Sequence, residues 1–306
     1  MLSKFLFLLF RFFVFLFGLL PFWLIYLLSD FMAFVLYYVI RYRRKVVAAN
    51  LKKCFPEKSD NELRTIAKGF YKNLSDITIE TIKGFRMSKK QILKRWKVLN
   101  PDVLDNYYDL NRDVINLASH YANWEWGIQA LNMQIRHQAV SIYMPMTNKI
   151  MEKWAIKKRE RFGMKMISTR QTRDYFTSER SKPASIILAA DQHPSNIKKS
   201  IMTKFFGNDT PCLHGAEEYA KAGNLPIVYF DVQRAKRGYY TLKIIEMINN
   251  PLQTGYSEIT QKYMSTLEDI IRQNPVNYLW SHRRWKRSPE IIAQMLEWHN
   301  ERLAVL

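Results

Sequence analysis

The chain begins with an almost unbroken apolar stretch at residues 5–28, which a single charge, Arg11, interrupts. As one helix this stretch would be about 36 Å long, enough to cross the hydrocarbon core of a bilayer with some tilt. It is apolar on every face, which disfavours a helix in the core of a soluble protein. It is also too long for a secretory signal peptide, and no small-residue cleavage site ends it. The pattern therefore predicts an N-terminal membrane helix.

A second apolar run, residues 31–40, follows Ser29 and Asp30. Ten residues are too few to span a bilayer alone. Two interpretations stay open for this run. It is either an interfacial segment or the returning arm of a hairpin, bent at Pro21 or at the Ser-Asp pair.

Beyond the apolar start, the periodicity predicts an α/β domain. A capping-box pattern at Ser59–Glu62 predicts a helix that runs to about residue 80. Short apolar runs then alternate with segments of helical spacing, which favours a central mixed β-sheet flanked by helices. The predicted strands are 114–119, 139–144, 185–190, 201–206, 226–232, 239–247 and 276–280, and the predicted helices are 123–133, 148–162, 213–222 and 256–273.

The domain division rests on a basic segment and on the absence of a linker. Residues 41–53 carry six basic residues and no acidic one, which predicts the cytoplasmic side of a membrane and contact with anionic headgroups. No Pro/Gly/Ser-rich linker divides the rest of the chain. We therefore expect a membrane anchor with its basic juxtamembrane segment at 1–45 and one cytoplasmic α/β domain at 46–306.

The net charge of +20 implies polyanionic partners. Nucleic acid is disfavoured, because the chain has no helix-turn-helix, RRM or zinc-finger signature and because the anchor places the charge at an anionic membrane. Two cysteines, Cys54 and Cys212, argue against a disulfide framework and fit a reducing compartment. Cys212, His214 and His193 match no standard zinc spacing, so we predict no metal site.

A histidine and a glutamate at one predicted strand-to-helix corner are the candidate chemistry. His120 ends the strand 114–119, and Glu125 falls in the first turn of the next helix, where the helix dipole favours a carboxylate. Open α/β sheets bind ligands at this carboxyl edge. A carboxylate that accepts from one imidazole N–H leaves the other nitrogen free to take a proton, for example from a substrate hydroxyl. The alternative, a buried histidine satisfied by a neighbouring carboxylate, stays open.

Several blocks in order resemble the lauroyl/myristoyl transferases of lipid A biosynthesis, within the glycerolipid acyltransferase superfamily. The motif "HYANWEW" carries the spacing of His120 and Glu125, and the resemblance covers nearly the whole chain. The other blocks are "RYRRKVVAANLKKCFPEKS", "IYMPMTNKIMEKWAIKKRERFG", "AADQHPS", "FFGNDTPCLHGAEEYAKAGNLPIVYFDVQRAKRGYY" and "NYLWSHRRWKRSPE".

The resemblance implies a glycerolipid-acyltransferase-like fold at the cytoplasmic side of the inner membrane. It implies transfer of a fatty acyl chain from acyl carrier protein to a hydroxyl of a lipid A precursor. His120 would be the general base and Glu125 its orienting carboxylate, with no acyl-enzyme, metal or cofactor. The chain departs from the family at Met144, often arginine, and at His214, often a small hydroxyl residue. Two alternatives remain: another membrane-lipid acceptor, such as a lysophospholipid or an aminolipid, and a non-catalytic lipid-binding scaffold.

Further polar residues are candidates for substrate binding, each with a simpler alternative. Asp191 and Gln192 follow a strand on the same predicted edge, where they either contact the acceptor or only cap a turn. Seven basic residues are expected to dock the acidic carrier protein or lipid phosphates, although an ordinary solvated helix face would explain them too: Lys153, Lys157, Lys158, Arg159, Arg161, Arg170 and Arg173. Arg283 and Arg284 are expected to bind phosphate, with a membrane-facing basic tail as the alternative. His214 is the remaining candidate.

Overall fold

A computed structural model of the protein describes residues 2–197 and 200–305. The helices are α1 (Leu2–Leu19), α2 (Phe22–Phe34), α3 (Arg44–Cys54), α4 (Asp60–Gly84), α5 (Lys89–Arg95), α6 (Asp102–Asp109), α7 (Trp124–Ala130), α8 (Lys149–Glu160), α9 (Thr172–Thr177), α10 (Gly215–Gly223), α11 (Glu258–Gln273) and α12 (Pro289–Val305). The strands are β1 (Trp96–Val98), β2 (Val114–Ala118), β3 (Gln138–Tyr143), β4 (Lys165–Ser168), β5 (Ala184–Ala189), β6 (Ser200–Phe205), β7 (Asn208–Leu213), β8 (Ile227–Lys236) and β9 (Tyr239–Ile248).

The central sheet has seven strands in the order β1-β9-β8-β2-β5-β3-β4. Neighbouring strands are parallel except β8 and β9, which form an antiparallel hairpin. The predicted mixed sheet flanked by helices is therefore confirmed. Strand β2 lies in the middle and is buried along almost its whole length, which explains why it reads as a continuous apolar run. The carboxyl ends of β8, β2, β5, β3 and β4 meet at one edge.

Most predicted strands are present, and one is wrong. Six of the predicted runs coincide with β2, β3, β5, β6, β8 and β9. The predicted strand at 276–280 is instead a 3-10 turn at Pro275–Asn277, followed by a single antiparallel bridge between Tyr121 and Tyr278. Pro275 has no N–H for a strand ladder. Tyr278 and Trp280 of this segment are buried because they pack into the core, not because they belong to a strand.

The apolar N-terminus is two helices, so the prediction of one helix over 5–28 is wrong. Helix α1 ends at Leu19 and α2 begins at Phe22, because Pro21 cannot continue the hydrogen-bond ladder. Ser29 and Asp30 lie inside α2, so the bend is at Pro21. Helix α2 continues through a π-helical turn, and the combined segment Phe22–Val39 is long and apolar enough to cross a membrane. The predicted domain boundary at residue 45 stays a prediction.

A buried carboxylate joins α2 to the rest of the fold. Asp76 of α4 is fully buried and accepts hydrogen bonds from Ser29 of α2 at 2.6 Å, from Arg234 of β8 at 2.5 Å and from Arg237 at 2.6 Å. Arg237, at the β8–β9 turn, also donates to Asp30 at 2.7 Å. Helix α2 is thus held against the rest of the fold by a polar network as well as by packing.

One turn further along α4, Glu80 connects α2 to the segment that follows β2. Its buried carboxylate accepts from Tyr26 of α2 at 2.8 Å, from Tyr240 of β9 at 2.7 Å and from Asn123 at 2.7 Å. Burial raises the pKa of Glu80. The side-chain oxygen of Asn123 caps α7 by accepting from the N–H of Trp126. Helix α4 therefore fixes the beginning of α7, the corner that carries His120 and Glu125.

Candidate active site

His120 and Asp191 are brought together by the pairing of two adjacent parallel strands. Ala118 at the end of β2 lies opposite Ala189 at the end of β5, and each polar residue follows two positions later. Nδ1 of His120 lies 2.8 Å from Oδ1 of Asp191, and the backbone N–H of His120 donates to Oδ2 at 3.1 Å. The carboxylate is 1% exposed, whereas the imidazole is 23% exposed. This geometry leaves Nε2 of the imidazole as the nitrogen that can accept a proton.

The two groups shift each other's proton affinity. Burial lowers the pKa of His120, but the Asp191 carboxylate and, to a smaller extent, Glu125 raise it, and the net direction is upward. Burial raises the pKa of Asp191, yet the charge and hydrogen bonds of His120 lower it, and the net direction is downward. Asp191 therefore stays ionised and stabilises a protonated imidazole.

The prediction that Glu125 orients His120 directly is wrong. Glu125 forms an ion pair with Arg159 of α8, which donates through Nε at 3.2 Å and a terminal nitrogen at 2.6 Å. The first turn of α7 directs this carboxylate toward α8, while β5 supplies the partner of the imidazole. Arg159 was expected only as one of the basic residues that dock the carrier protein or lipid phosphates, and nothing in the sequence predicted its pairing with Glu125.

A narrow apolar pocket begins at His120. It has a volume of about 80 Å³ and extends beneath the sheet edge between α7 and the strands. Trp124 lies edge-on to the imidazole with ring centroids 5.1 Å apart. The side-chain nitrogen of Gln192 lies 3.4 Å from Nε2 of His120, so this predicted substrate-binding residue is at the pocket mouth. The lining side chains are mostly aliphatic or aromatic, including Trp96, Ile128, Leu131, Ile142, Ile187, Phe230 and Val232.

A second cavity, of about 360 Å³, lies beside residue 193 and is lined by cationic side chains. Arg284 is 2% exposed and donates to the carbonyl of Pro211 at 2.7 Å and to Sγ of Cys212 at 3.0 Å. Its Nε is buried without a hydrogen-bond partner among the described residues. Lys53 and Arg287 also line this cavity. Of the two arginines predicted to bind phosphate, Arg284 thus lies in the interior at this cavity, whereas Arg283 is exposed.

The histidines beside this cavity are held neutral. The backbone N–H of His193 donates to Nε2 of His282 at 2.9 Å, which connects the segment after β5 to the C-terminal block. Burial, with the charges of Lys286, Arg284 and Arg287, lowers the pKa of His193 to about 4. Burial and nearby cations likewise lower the pKa of His282 to about 4. The lining of the cavity holds three cations and one carboxylate, Asp209, which pairs with Lys204, so its net charge is positive and suits an anion.

The other predicted binding residues lie away from His120. Arg170 and Arg173 follow β4 at the end strand of the sheet, on the same edge but three strands from β2, and both are exposed. His214 precedes α10 and faces Glu217 at 3.9 Å and Glu218 at 3.4 Å. Within residues 2–197 and 200–305, no group of three or more His, Cys, Asp or Glu side chains is placed to hold a metal ion.

Comparison with known proteins decides the family. The family described as bacterial lipid A biosynthesis acyltransferase matches residues 1–287. The chain belongs to this family. It is an acyltransferase, and the resemblance drawn from the sequence blocks is confirmed.

Three relatives of this acyltransferase align with it over 252 residues each. The lipid A biosynthesis lauroyltransferase of Escherichia coli strain K12 is 22% identical, over 81% of this chain and 80% of the relative. A lipid A biosynthesis acyltransferase of Haemophilus influenzae is 23% identical, over 81% and 79%. The lipid A biosynthesis palmitoleoyltransferase of E. coli strain K12 is 24% identical, over 82% and 81%.

Proposed function

We propose that the protein transfers a fatty acyl chain from acyl carrier protein to a hydroxyl of a lipid A precursor, at the cytoplasmic face of the inner membrane. Relatives named for lipid A acylation align over about four fifths of the chain. A glycerolipid-acyltransferase-like fold is part of the proposal, supported by the mixed sheet with His120 at its carboxyl edge. The observation that carries the proposal is the His120–Asp191 pair at the mouth of an apolar pocket.

In this mechanism His120 acts as a general base. Its Nε2 takes the proton of the acceptor hydroxyl while the hydroxyl oxygen attacks the thioester carbonyl carbon. A carbon–oxygen bond forms, the carbon–sulfur bond breaks, and the imidazolium returns the proton to the departing thiolate. Asp191 holds the ring by Nδ1 and stabilises its positive charge. No covalent enzyme intermediate is needed.

Glu125 contributes at longer range in the same mechanism. Its carboxylate favours the protonated form of His120 and fixes the guanidinium of Arg159 by two hydrogen bonds. Bidentate pairs of this kind hold both side chains in one geometry. In this proposal Glu125 is a positioning residue that acts at longer range, and Asp191 is the direct partner of the imidazole.

The two cavities give the substrates separate places. The apolar lining of the pocket that opens at His120 suits the first methylenes of the donor acyl chain, next to the thioester. The cationic cavity lined by Lys53, Arg284 and Arg287 suits a phosphate of the acceptor. Asp191, Gln192 and His193 are consecutive and connect the two, so one molecule bound in each would meet near His120. Exposed Arg170 and Arg173, on the same sheet edge, are placed to dock the acidic carrier protein.

An assay with purified full-length protein in detergent tests this function. We expect acyl transfer from acyl carrier protein to a lipid A precursor, with coenzyme A a poorer donor. His120→Ala should lower kcat by about 100- to 10,000-fold, as removal of a general base does. Acylation of a lysophospholipid or an aminolipid in place of the lipid A precursor would keep the chemistry and refute the acceptor. Full activity of His120→Ala would refute the mechanism.

A further inference from the structure

A groove separate from both cavities lies where α1 meets α8 and the turn after α4. Its volume is about 500 Å³, and Arg11 of α1, Arg86 after α4 and Lys158 of α8 supply its polar part. Phe12 and Phe15 of α1 supply much of its apolar part. The groove thus combines charges from three separate segments with a wall formed by the apolar N-terminal helix.

The three cations of the groove share no acidic partner. None of them forms an ion pair among the described residues, and no carboxylate lines the groove. Burial lowers the pKa of Lys158, and the charges of Arg161, Arg11 and Arg86 lower it further. Like charges held together repel each other, so the arrangement favours an anion between them.

Aromatic packing fixes the groove in place. The guanidinium of Arg86 lies over the ring of Phe15 at 4.0 Å. A Cβ at Gly18 would collide with the Arg86 side chain, so the glycine lets this arginine lie across α1. Trp154 of α8 packs edge-on against Phe10 at 5.3 Å and against Phe85 at 4.9 Å. These contacts give the cations a defined position beside the apolar helix.

The apolar side of the groove continues onto a surface suited to hydrocarbon. Leu8 and Phe12 are each 59% exposed and Phe15 is 47% exposed, although all three are large apolar side chains. A cationic cluster bordering such a surface matches an anionic lipid, with its phosphate between the cations and its chain along the helix. A water-soluble anion would leave this surface uncovered.

We propose that the groove of Arg11, Arg86 and Lys158 binds an anionic phospholipid of the bilayer, with its phosphate at the three cations and an acyl chain along α1. This site is additional to the acceptor and donor sites and does not depend on the proposed reaction. Lys158 precedes Arg159, which holds Glu125. A bound phospholipid would therefore brace α8, the helix that carries this arginine.

Fluorescence quenching tests the site directly. The full-length protein in a neutral detergent is titrated with phosphatidylglycerol or phosphatidylcholine carrying brominated acyl chains, and a Trp154→Phe variant isolates the signal of the groove. We expect phosphatidylglycerol to quench Trp154 at a concentration at least about tenfold lower than phosphatidylcholine does. The triple variant Arg11→Gln/Arg86→Gln/Lys158→Gln should lose this preference.

Two control variants separate the groove from net charge and from misfolding. Lys97→Gln/Lys182→Gln/Lys243→Gln removes three exposed cations elsewhere and should keep the preference. The double variant Arg11→Lys/Arg86→Lys keeps the charges of the groove, so it should also keep the preference for phosphatidylglycerol. Equal quenching of Trp154 by both lipids, an equal loss in the remote triple variant, or a phosphatidylglycerol preference that is undiminished in Trp154→Phe would overturn the proposal. Competitive displacement of phosphatidylglycerol by the lipid A precursor would assign the groove to the acceptor and would also overturn it.

Discussion

Asp191→Asn is expected to lower kcat by about 10,000-fold, because an amide cannot stabilise the imidazolium and favours the wrong tautomer of the ring. Asp191 is almost fully buried and contacts Nδ1 of His120 at 2.8 Å, so no water can replace it without rearrangement. The measurement is kcat with acylated acyl carrier protein as the donor, together with the dependence of kcat on pH. Substrate binding should change much less than kcat.

The pH profile distinguishes a positioning role from a merely structural one. The working form of His120 is the neutral imidazole, so activity rises with pH through its pKa, and Asp191 holds that pKa above its usual value. Without this carboxylate the pKa falls, and the acid limb of the profile should move to lower pH. Glu125→Gln is the matched control, because Glu125 does not contact the imidazole and should move the limb less. A larger shift for Glu125→Gln than for Asp191→Asn would contradict the assignment.

Asp76→Ala is expected to destabilise the fold by about 3–5 kcal/mol, since it leaves the half-buried Arg234 without its carboxylate and takes one of two carboxylates from Arg237. Arg234 and Arg237 both direct their guanidinium groups at this fully buried carboxylate. The loss also releases Ser29, and with it one of the polar ties between α2 and α4. Chemical denaturation in detergent, followed by tryptophan fluorescence, measures the free energy of unfolding.

An exposed ion pair supplies the control for this prediction. Asp109 pairs with Arg136 at 2.7 Å, but the two side chains are 63% and 50% exposed. Asp109→Ala should therefore cost about 0–1 kcal/mol. If Asp76→Ala were no more destabilising than Asp109→Ala, the buried network would not be what holds α2 to the domain.

The sequence was sufficient for six of the nine strands and for the position of His120 at a strand end, but not for the side chain that partners its imidazole. The runs that form β2 and β5 are apolar, short and bounded by polar residues, so their positions and the place of His120 at a strand end could be predicted. Asp191 is 71 residues from His120, and only the parallel pairing of β2 with β5 brings them together. Strand order is set by tertiary packing, so a local pattern favoured the nearer carboxylate, Glu125.

One other wrong prediction and one feature that the sequence did not reveal have similar physical causes. Hydrophobicity described residues 5–28 as one stretch, but the missing N–H of Pro21 decides where the helix breaks. Nothing in the sequence indicated that Arg284 is buried, because arginines usually lie at the surface. The structure buries it because the carbonyl of Pro211 and Sγ of Cys212, both on β7, satisfy its donors. Neither partner could be found without knowing how β7 packs against the C-terminal segment.

Lipid mass spectrometry on cells that lack this protein is the most direct test of its function. The strain is complemented with wild type, with His120→Ala or with an empty vector, and its lipid A is compared. We expect the lipid A of the strain to lack one acyl chain, and only wild type should restore it. Restoration by His120→Ala, or unchanged lipid A beside an altered phospholipid or aminolipid, would contradict the account.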